Sequence, residues 1–213
     1  MKNVKRTLML LAIAAVAFSG ASSQAAFING QNWADSVVSY TSQIQNYGGT
    51  LMDSTTEFWV LGQSDVDLNG NMYAWDTGEP DYVAGWRSVA ANQEIIVGFN
   101  TALEDIAGDD LVIRLYGGPN AQASVSVSED NSSWTSIGTI TGESGQIPGT
   151  PGYLYDAAFD FSGLFSGDAY YVKVHRDVAG PQTGMFFDSF ASVPEPATML
   201  ILGLGAAFVR RRK

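Results

Sequence analysis

Between residues 26 and 192 the apolar positions alternate with a period of two, and a helical period is almost absent. The stretch Ser124-Val125-Ser126-Val127-Ser128 alternates cleanly, which puts Val125 and Val127 on one buried face. Glu129-Asp130-Asn131-Ser132 follows as a turn, and residues 134–140 read as the returning arm of a hairpin. Residues 169–176 form another alternating run, with Tyr170, Val172 and Val174 on one face and Tyr171, Lys173 and His175 on the other. Residues 95–99 and 111–116 are apolar enough to be central strands, residues 184–192 make the last strand, and residues 33–40 read as extended, with two helical turns over 34–40 as the alternative. Residues 142–152, rich in Gly and Pro, read as a loop. Gly117-Gly118-Pro119-Asn120 reads as a turn, and Asp109-Asp110 as caps just before the strand at Leu111. Many short strands divided by turn formers predict an all-β fold, a single antiparallel β-sandwich over residues 26–192.

The two ends break this pattern. MKNVKR is basic, residues 7–18 are apolar and uncharged, and small residues follow. That three-part layout is a secretory signal peptide, residues 1–25, forming a signal helix; Ser23 and Ala25 occupy the small positions before a cut after Ala25. At the other end, Pro194-Glu195-Pro196 precedes a hydrophobic helix over residues 197–209 and the basic cluster Arg210, Arg211, Arg212 and Lys213. Thirteen helical residues cover about 20 Å, short of the ~30 Å hydrocarbon core. The cluster would stay on the cytoplasmic side. The prolines hold the chain extended ahead of the helix. This reads as a short transmembrane helix with an exposed handle, suited to being recognised and discarded.

The order VPEP, short apolar run, RRRK over residues 193–213 resembles the PEP-CTERM sorting signal of Gram-negative bacteria that make extracellular polymeric substance. The resemblance implies recognition by a membrane-embedded exosortase, a cysteine transpeptidase-like enzyme, after passage through the secretion machinery. The chain would be held briefly at the inner membrane by its C-terminal helix, cut near Pro-Glu-Pro, and delivered to the cell surface or extracellular matrix.

Charge sharpens the picture of the body. The chain carries 11 Lys and Arg against 22 Asp and Glu. The basic residues are concentrated at the ends, which leaves Arg87, Arg114, Lys173 and Arg176 against 21 acids, a net of about −17. Such a field repels phosphate backbones and excludes nucleic acid as a partner. There is no cysteine, so thiol catalysis and Cys-rich metal sites are excluded.

A second resemblance concerns the fold. SVSVSEDNSSWTSIGTI (124–140), with YYVKVHRD (170–177) and MFFDSFASV (185–193), resembles the hairpin and closing strands of galactose-binding-like, discoidin-type jelly rolls. It implies a jelly-roll-like sandwich; many such domains bind glycans, which makes extracellular polysaccharide a partner to consider.

Candidate chemistry in the body is sparse. In DVDLNGNMYAWD, Asp65, Asp67, Asn69 and Asp76 stand at positions 1, 3, 5 and 12, with Gly70 at position 6, as in a twelve-residue calcium loop. Position 12 is Asp rather than Glu and Thr77-Gly78-Glu79-Pro80 follows, so the stretch also reads as an Asn-Gly turn with solvated carboxylates. Asp188 is a further calcium candidate by the jelly-roll resemblance, against the reading of an exposed strand residue. Trp75 and Trp86, flanked by loop formers, are candidate stacking platforms for a sugar, against the reading of each as an aromatic that fills the sandwich core. The single histidine, His175, reads as a surface or edge residue, and no nucleophile elbow, zinc-type His pair or phosphate-cradling loop is present. The sequence therefore predicts a non-catalytic structural or binding module, with a carbohydrate-binding module, in which calcium held by these residues would be structural, as the alternative and a glycoside hydrolase behind it.

Overall fold

The computed structural model describes residues 32–46, 49–63, 83–87, 92–106, 108–142 and 154–193. Both terminal helices expected from the sequence lie outside these residues.

Nine strands and one 3₁₀ turn are found among the described residues. They are β1 (Ser36–Tyr40), the turn Glu57–Val60, β2 (Ala84–Trp86), β3 (Glu94–Leu103), β4 (Leu111–Gly117), β5 (Gln122–Ser128), β6 (Thr135–Thr141), β7 (Leu154–Phe159), β8 (Ala169–Arg176) and β9 (Met185–Ser192). They make two antiparallel sheets, β1-β3-β8-β5-β6 and β2-β9-β4-β7. The described residues thus make an all-β, two-sheet antiparallel sandwich.

The core lies between the sheets and follows the alternation read from the sequence. Ile95, Val97, Val125, Val127, Val172 and Val174 come from one layer, and Leu111, Ile113, Leu115, Phe187 and Phe190 from the other. Burying a side chain of this size contributes about 1.5–3 kcal/mol. Trp86 packs edge-on to Phe187 at 5.1 Å between centroids, and Phe187 lies 5.5 Å from Phe190.

Two bulges let residues three apart share one face. Ile137 and Ile140 are both buried in the core. Strict alternation forbids this, and the β5–β6 register slips between Val125↔Gly138 and Ser126↔Ser136. Phe187 and Phe190 do the same on β9, where the register with β4 slips between Arg114↔Ser189 and Leu115↔Phe187. Asp188 sits on that slip and is buried, with its Oδ2 accepting from Ser189 Oγ at 3.1 Å. The expectation of an exposed strand residue is corrected here: the bulge turns Asp188 out of simple alternation and into shielded surroundings.

The far face of the four-stranded sheet is also buried. Val112, Leu154 and Phe186 are shielded although none belongs to the inter-sheet core. Arg114 of β4 stands on this face opposite Asp156 of β7, an ion pair joined by two hydrogen bonds of 2.8 and 2.9 Å.

Candidate functional site

The outward face of the five-stranded sheet differs from the buried one. Its rows run across the strands, Glu94–His175–Ser124–Thr139 in one and Ile96–Lys173–Ser126–Ser136 in the next. A third row begins with Ser36, Gly98 and Tyr171. Adjacent strands lie about 4.8 Å apart, so the five strands present a surface roughly 20 Å across. Gly98 has a local reason to be glycine. A Cβ there would meet Ser36 Oγ at 2.7 Å and Val38 Cγ2 at 3.2 Å, and Tyr171 Cε1 would lie at 3.6 Å. The Tyr171 ring covers the gap that glycine leaves in the sheet.

Trp134, at the start of the returning hairpin arm, belongs to the same surface, because Lys173 Nζ stands 4.3 Å from its ring centroid. That cation also lies 4.0 Å from Glu94 Oε2, and His175 Nδ1 lies 3.6 Å from the same oxygen. Lys173 and Glu94 therefore offset one another on this face, while the Asp177 carboxylate at its edge accepts from Ser124 Oγ at 3.1 Å. What remains for a ligand is ring edge, ring face and a ladder of hydroxyls, which suits a polar, uncharged, many-hydroxyl molecule.

A second cluster occupies one end of the sandwich. Carboxylate oxygens of Asp105, Asp110 and Asp160 lie within 4.8 Å of one another. Asp110 is fully buried; its Oδ1 accepts from Ile106 N at 2.7 Å and its Oδ2 from Phe161 N at 2.6 Å. This is the capping role read from Asp109-Asp110. Burial pushes the Asp110 carboxyl above its ordinary value; the two backbone N–H groups oppose this, and Asp105 and Asp160 reinforce it. Asp109 is raised by burial and by the charge of Asp160. Asp160 is held low by the Ser162 hydroxyl and N–H. Three hard oxygens at this spacing have the chemistry of a calcium ligand set, and also that of a loop cap with solvated neighbours.

The site residues expected from the sequence are distributed otherwise. Asp65, Asp67, Asn69, Trp75 and Asp76 lie outside the described residues, as do Ser23, Ala25, Pro194, Glu195, Pro196, Arg210, Arg211 and Arg212. Trp86 is fully buried against Phe187, so its indole is part of the core and offers no face to a sugar. The stacking reading came from its short loop-like flanks, which are a three-residue strand paired with Phe187–Met185. Asp188 lies on the bulge of β9 and is not brought together with Asp105, Asp110 and Asp160. That acidic cluster escaped sequence reasoning because Asp160 directly follows β7, a strand not foreseen. Trp134 and Tyr171 were visible as residues, but their sharing a face with Lys173 depends on the strand order.

Residues 192–213 match the family described as the PEP-CTERM protein-sorting motif. No curated protein matches the chain. Among solved structures the chain is similar to the C-terminal domain of a chitobiase from Bacteroides fragilis, at 16% identity over 76% of this chain and 92% of that one, TM-score 0.43. It is similar to CBM32-3 from a family 31 glycoside hydrolase of Clostridium perfringens, at 14% identity over 72% of this chain and 94% of that one, TM-score 0.34. A family 29 carbohydrate-binding module from Piromyces equi matches at 12% identity over 78% and 93%, TM-score 0.34. The C-terminal match is the specific one: this chain carries a PEP-CTERM protein-sorting motif.

Proposed function

We propose that the protein is an exported cell-surface or matrix module whose sandwich body binds a glycan without turning it over. Delivery rests on the sorting motif at residues 192–213. The observation that carries the binding half is the outward face of the five-stranded sheet, where Trp134 and Tyr171 stand beside Ser124, Ser126, Ser136 and Thr139. Rings offer stacking surface and a polar handle, and hydroxyls exchange hydrogen bonds with sugar hydroxyls. The body's net charge of about −17 disfavours a polyanionic ligand, so a neutral polysaccharide is the class proposed. A jelly-roll-like connection of the strands, a domain spanning residues 26–192 and a signal peptide cut after Ala25 belong to the same proposal.

The test is retention of the purified body on a panel of insoluble neutral polysaccharides. Binding that is lost in Trp134→Ala and Tyr171→Ala supports the reading. No retention across the panel leaves a structural matrix module, which needs stable folding and abundance outside the cell but no ligand. Calcium enters only as a structural ion held by Asp65, Asp67, Asn69 and Asp76. A melting temperature unmoved by EDTA, in the parent and in Asp65→Asn and Asp67→Asn alike, returns that stretch to an Asn-Gly turn.

A further inference from the structure

The last strand runs into the sorting motif without a linker. β9 ends at Ser192, the motif match begins there, and Val193 still donates its N–H to Asp110 O at 2.9 Å. Pro194 is the next residue. On one side β9 is held by β4, through Ala191↔Val112 and Ser192↔Leu111. On the other side it is held by the first residues of the described body. Trp33 bridges Ala191, Ala34 donates to Phe190 O at 3.0 Å, and Ser192 donates to Asn32 O at 2.8 Å. Asn32 N returns a bond to Ser192 Oγ at 3.3 Å. This N-terminal clasp is itself anchored to the opposite sheet. Asn32 Nδ2 donates to Thr101 O at 2.8 Å, Asp35 N to Gly98 O at 2.9 Å, and Asn100 N to Asp35 Oδ2 at 2.7 Å.

We infer that the folded body sets the upstream limit of its own tail processing, with residues 32–35 as the clasp that closes the junction. A processing enzyme takes its substrate as extended chain with free backbone groups on both sides of the cut. Up to Val193 those groups are already paired within the sandwich, and Phe190 and Ala191 are fully buried. The enzyme is left with residues from Pro194 onward, or with the fraction of molecules in which the clasp has frayed. Reach reinforces this: from Val193 to Ala197, where the apolar run begins, the chain spans at most about 14 Å. The folded end is therefore drawn close to whatever holds the tail.

The inference rests on the sorting reading. In the step concerned, the enzyme's nucleophile adds to a backbone carbonyl in or after the Pro-Glu-Pro and the C–N bond breaks. The tail departs with a free α-amino group that takes up the proton, and the acyl group passes to water or an amine acceptor. The clasp residues touch no reacting atom; they position the junction.

The experiment uses the full chain, made in a host with its exosortase and in one without. Intact mass gives the mature C-terminus, and pulse-labelling gives the rate of tail loss. Two variants are compared with the parent. Ala34→Pro removes the N–H given to Phe190 O. Insertion of Gly-Ser-Gly-Ser between Val193 and Pro194 leaves the sandwich untouched and frees the junction, so it reads the effect even where Ala34→Pro folds poorly. We expect every parent species to end at Val193 or beyond, and the linker variant to lose its tail about tenfold faster, the scale of one or two backbone bonds no longer needing to open. A parent C-terminus upstream of Val193, or a linker variant processed no faster, overturns the inference while leaving sorting intact. A tail kept in all chains in both hosts overturns the sorting reading, and this inference with it.

Discussion

Arg114 and Asp156 meet across β4 and β7 in a two-pronged ion pair, with side chains only 6% and 13% exposed. Burial nevertheless pushes the Asp156 carboxyl above its ordinary value, and the hydrogen bond and charge of Arg114 only partly offset this. Removing one partner strands the other, so Arg114→Met is expected to cost about 3–5 kcal/mol in urea unfolding. The double variant Arg114→Met with Asp156→Leu should regain at least half of that, because it leaves neither member of the pair buried without the other. The sign with pH follows from the raised carboxyl. The native state holds its proton to higher pH than the unfolded chain, so this group's contribution falls as pH rises from about 3.8 through its folded value. Asp156→Asn should flatten that part of the stability profile.

Tyr155 and Gly117 form a second constrained pair. Tyr155 is buried, its hydroxyl has no hydrogen-bond partner among the described residues, and burial raises its pKa. The hydroxyl occupies the place where a Cβ on Gly117 would stand. Tyr155→Phe removes a desolvated polar group and keeps the ring, so it should stabilise the fold by about 1 kcal/mol. Gly117→Ala should destabilise, and Tyr155→Phe in the same chain should recover part of the loss. Thermal melts of the four chains check the cycle.

Much of the sandwich was legible because alternation is a local signal. The runs around Val125, Val172 and Ile113 needed nothing beyond their own neighbours to read as half-buried strands, and β8 was bounded to the residue. β7 was not foreseen. Its sequence LYDAAF carries Asp156 at mid-strand, and that charge is tolerated only because Arg114 lies opposite, which the sequence alone does not show. β2 escaped because three residues are too few to show a period. Its Trp86 therefore stood as a candidate stacking ring, and its burial bears out the core reading instead. Bulges hid Asp188 and the pairing of Ile137 with Ile140, since one extra residue reverses every face assignment beyond it. The candidate face of Trp134, Tyr171 and Lys173 joins three strands that are distant in sequence, so strand order had to be known first.

At the acidic end, Asp110 and Asp105 should respond in opposite directions. Asp110→Asn relieves repulsion but offers one acceptor where Ile106 and Phe161 each donate an N–H. We expect a loss of about 1–3 kcal/mol. Asp105→Asn keeps an oxygen for Ser162 Oγ and removes a charge that faces Asp110 and Asp160. Its melting temperature should rise slightly at neutral pH, and the gain should shrink in 1 M salt, where the Debye length is about 3 Å. Asp130 behaves in the reverse sense with pH. The Ser132 hydroxyl and the Ser133 and Ser132 N–H groups hold its carboxyl well below the ordinary value. The hairpin stability it supplies is present above about 3.8 and is lost as pH falls towards its folded value. The protection of the Ser132 and Ser133 amides, measured as exchange relative to the unfolded chain at the same pH, should fall as pH drops below that point, and should be lower in Asp130→Ala above it.

Lys173 separates support from binding on the proposed glycan face. Its ammonium lies over the Trp134 ring and near Glu94, so it orders the ring as well as carrying charge. Lys173→Met keeps the length of the stem and the cover on the indole while removing the cation–π attraction, worth about 0.5–1 kcal/mol at exposed sites. If the face binds a neutral polysaccharide through Trp134, Tyr171 and the serine ladder, Lys173→Met should retain most of the binding and show little dependence on salt. Trp134→Ala should lose it with the fold intact by circular dichroism. Retention that vanishes in Lys173→Met and weakens steeply with salt would instead mark the ligand as anionic. Affinity electrophoresis in gels containing neutral or acidic polysaccharide, run at two salt concentrations, makes the distinction.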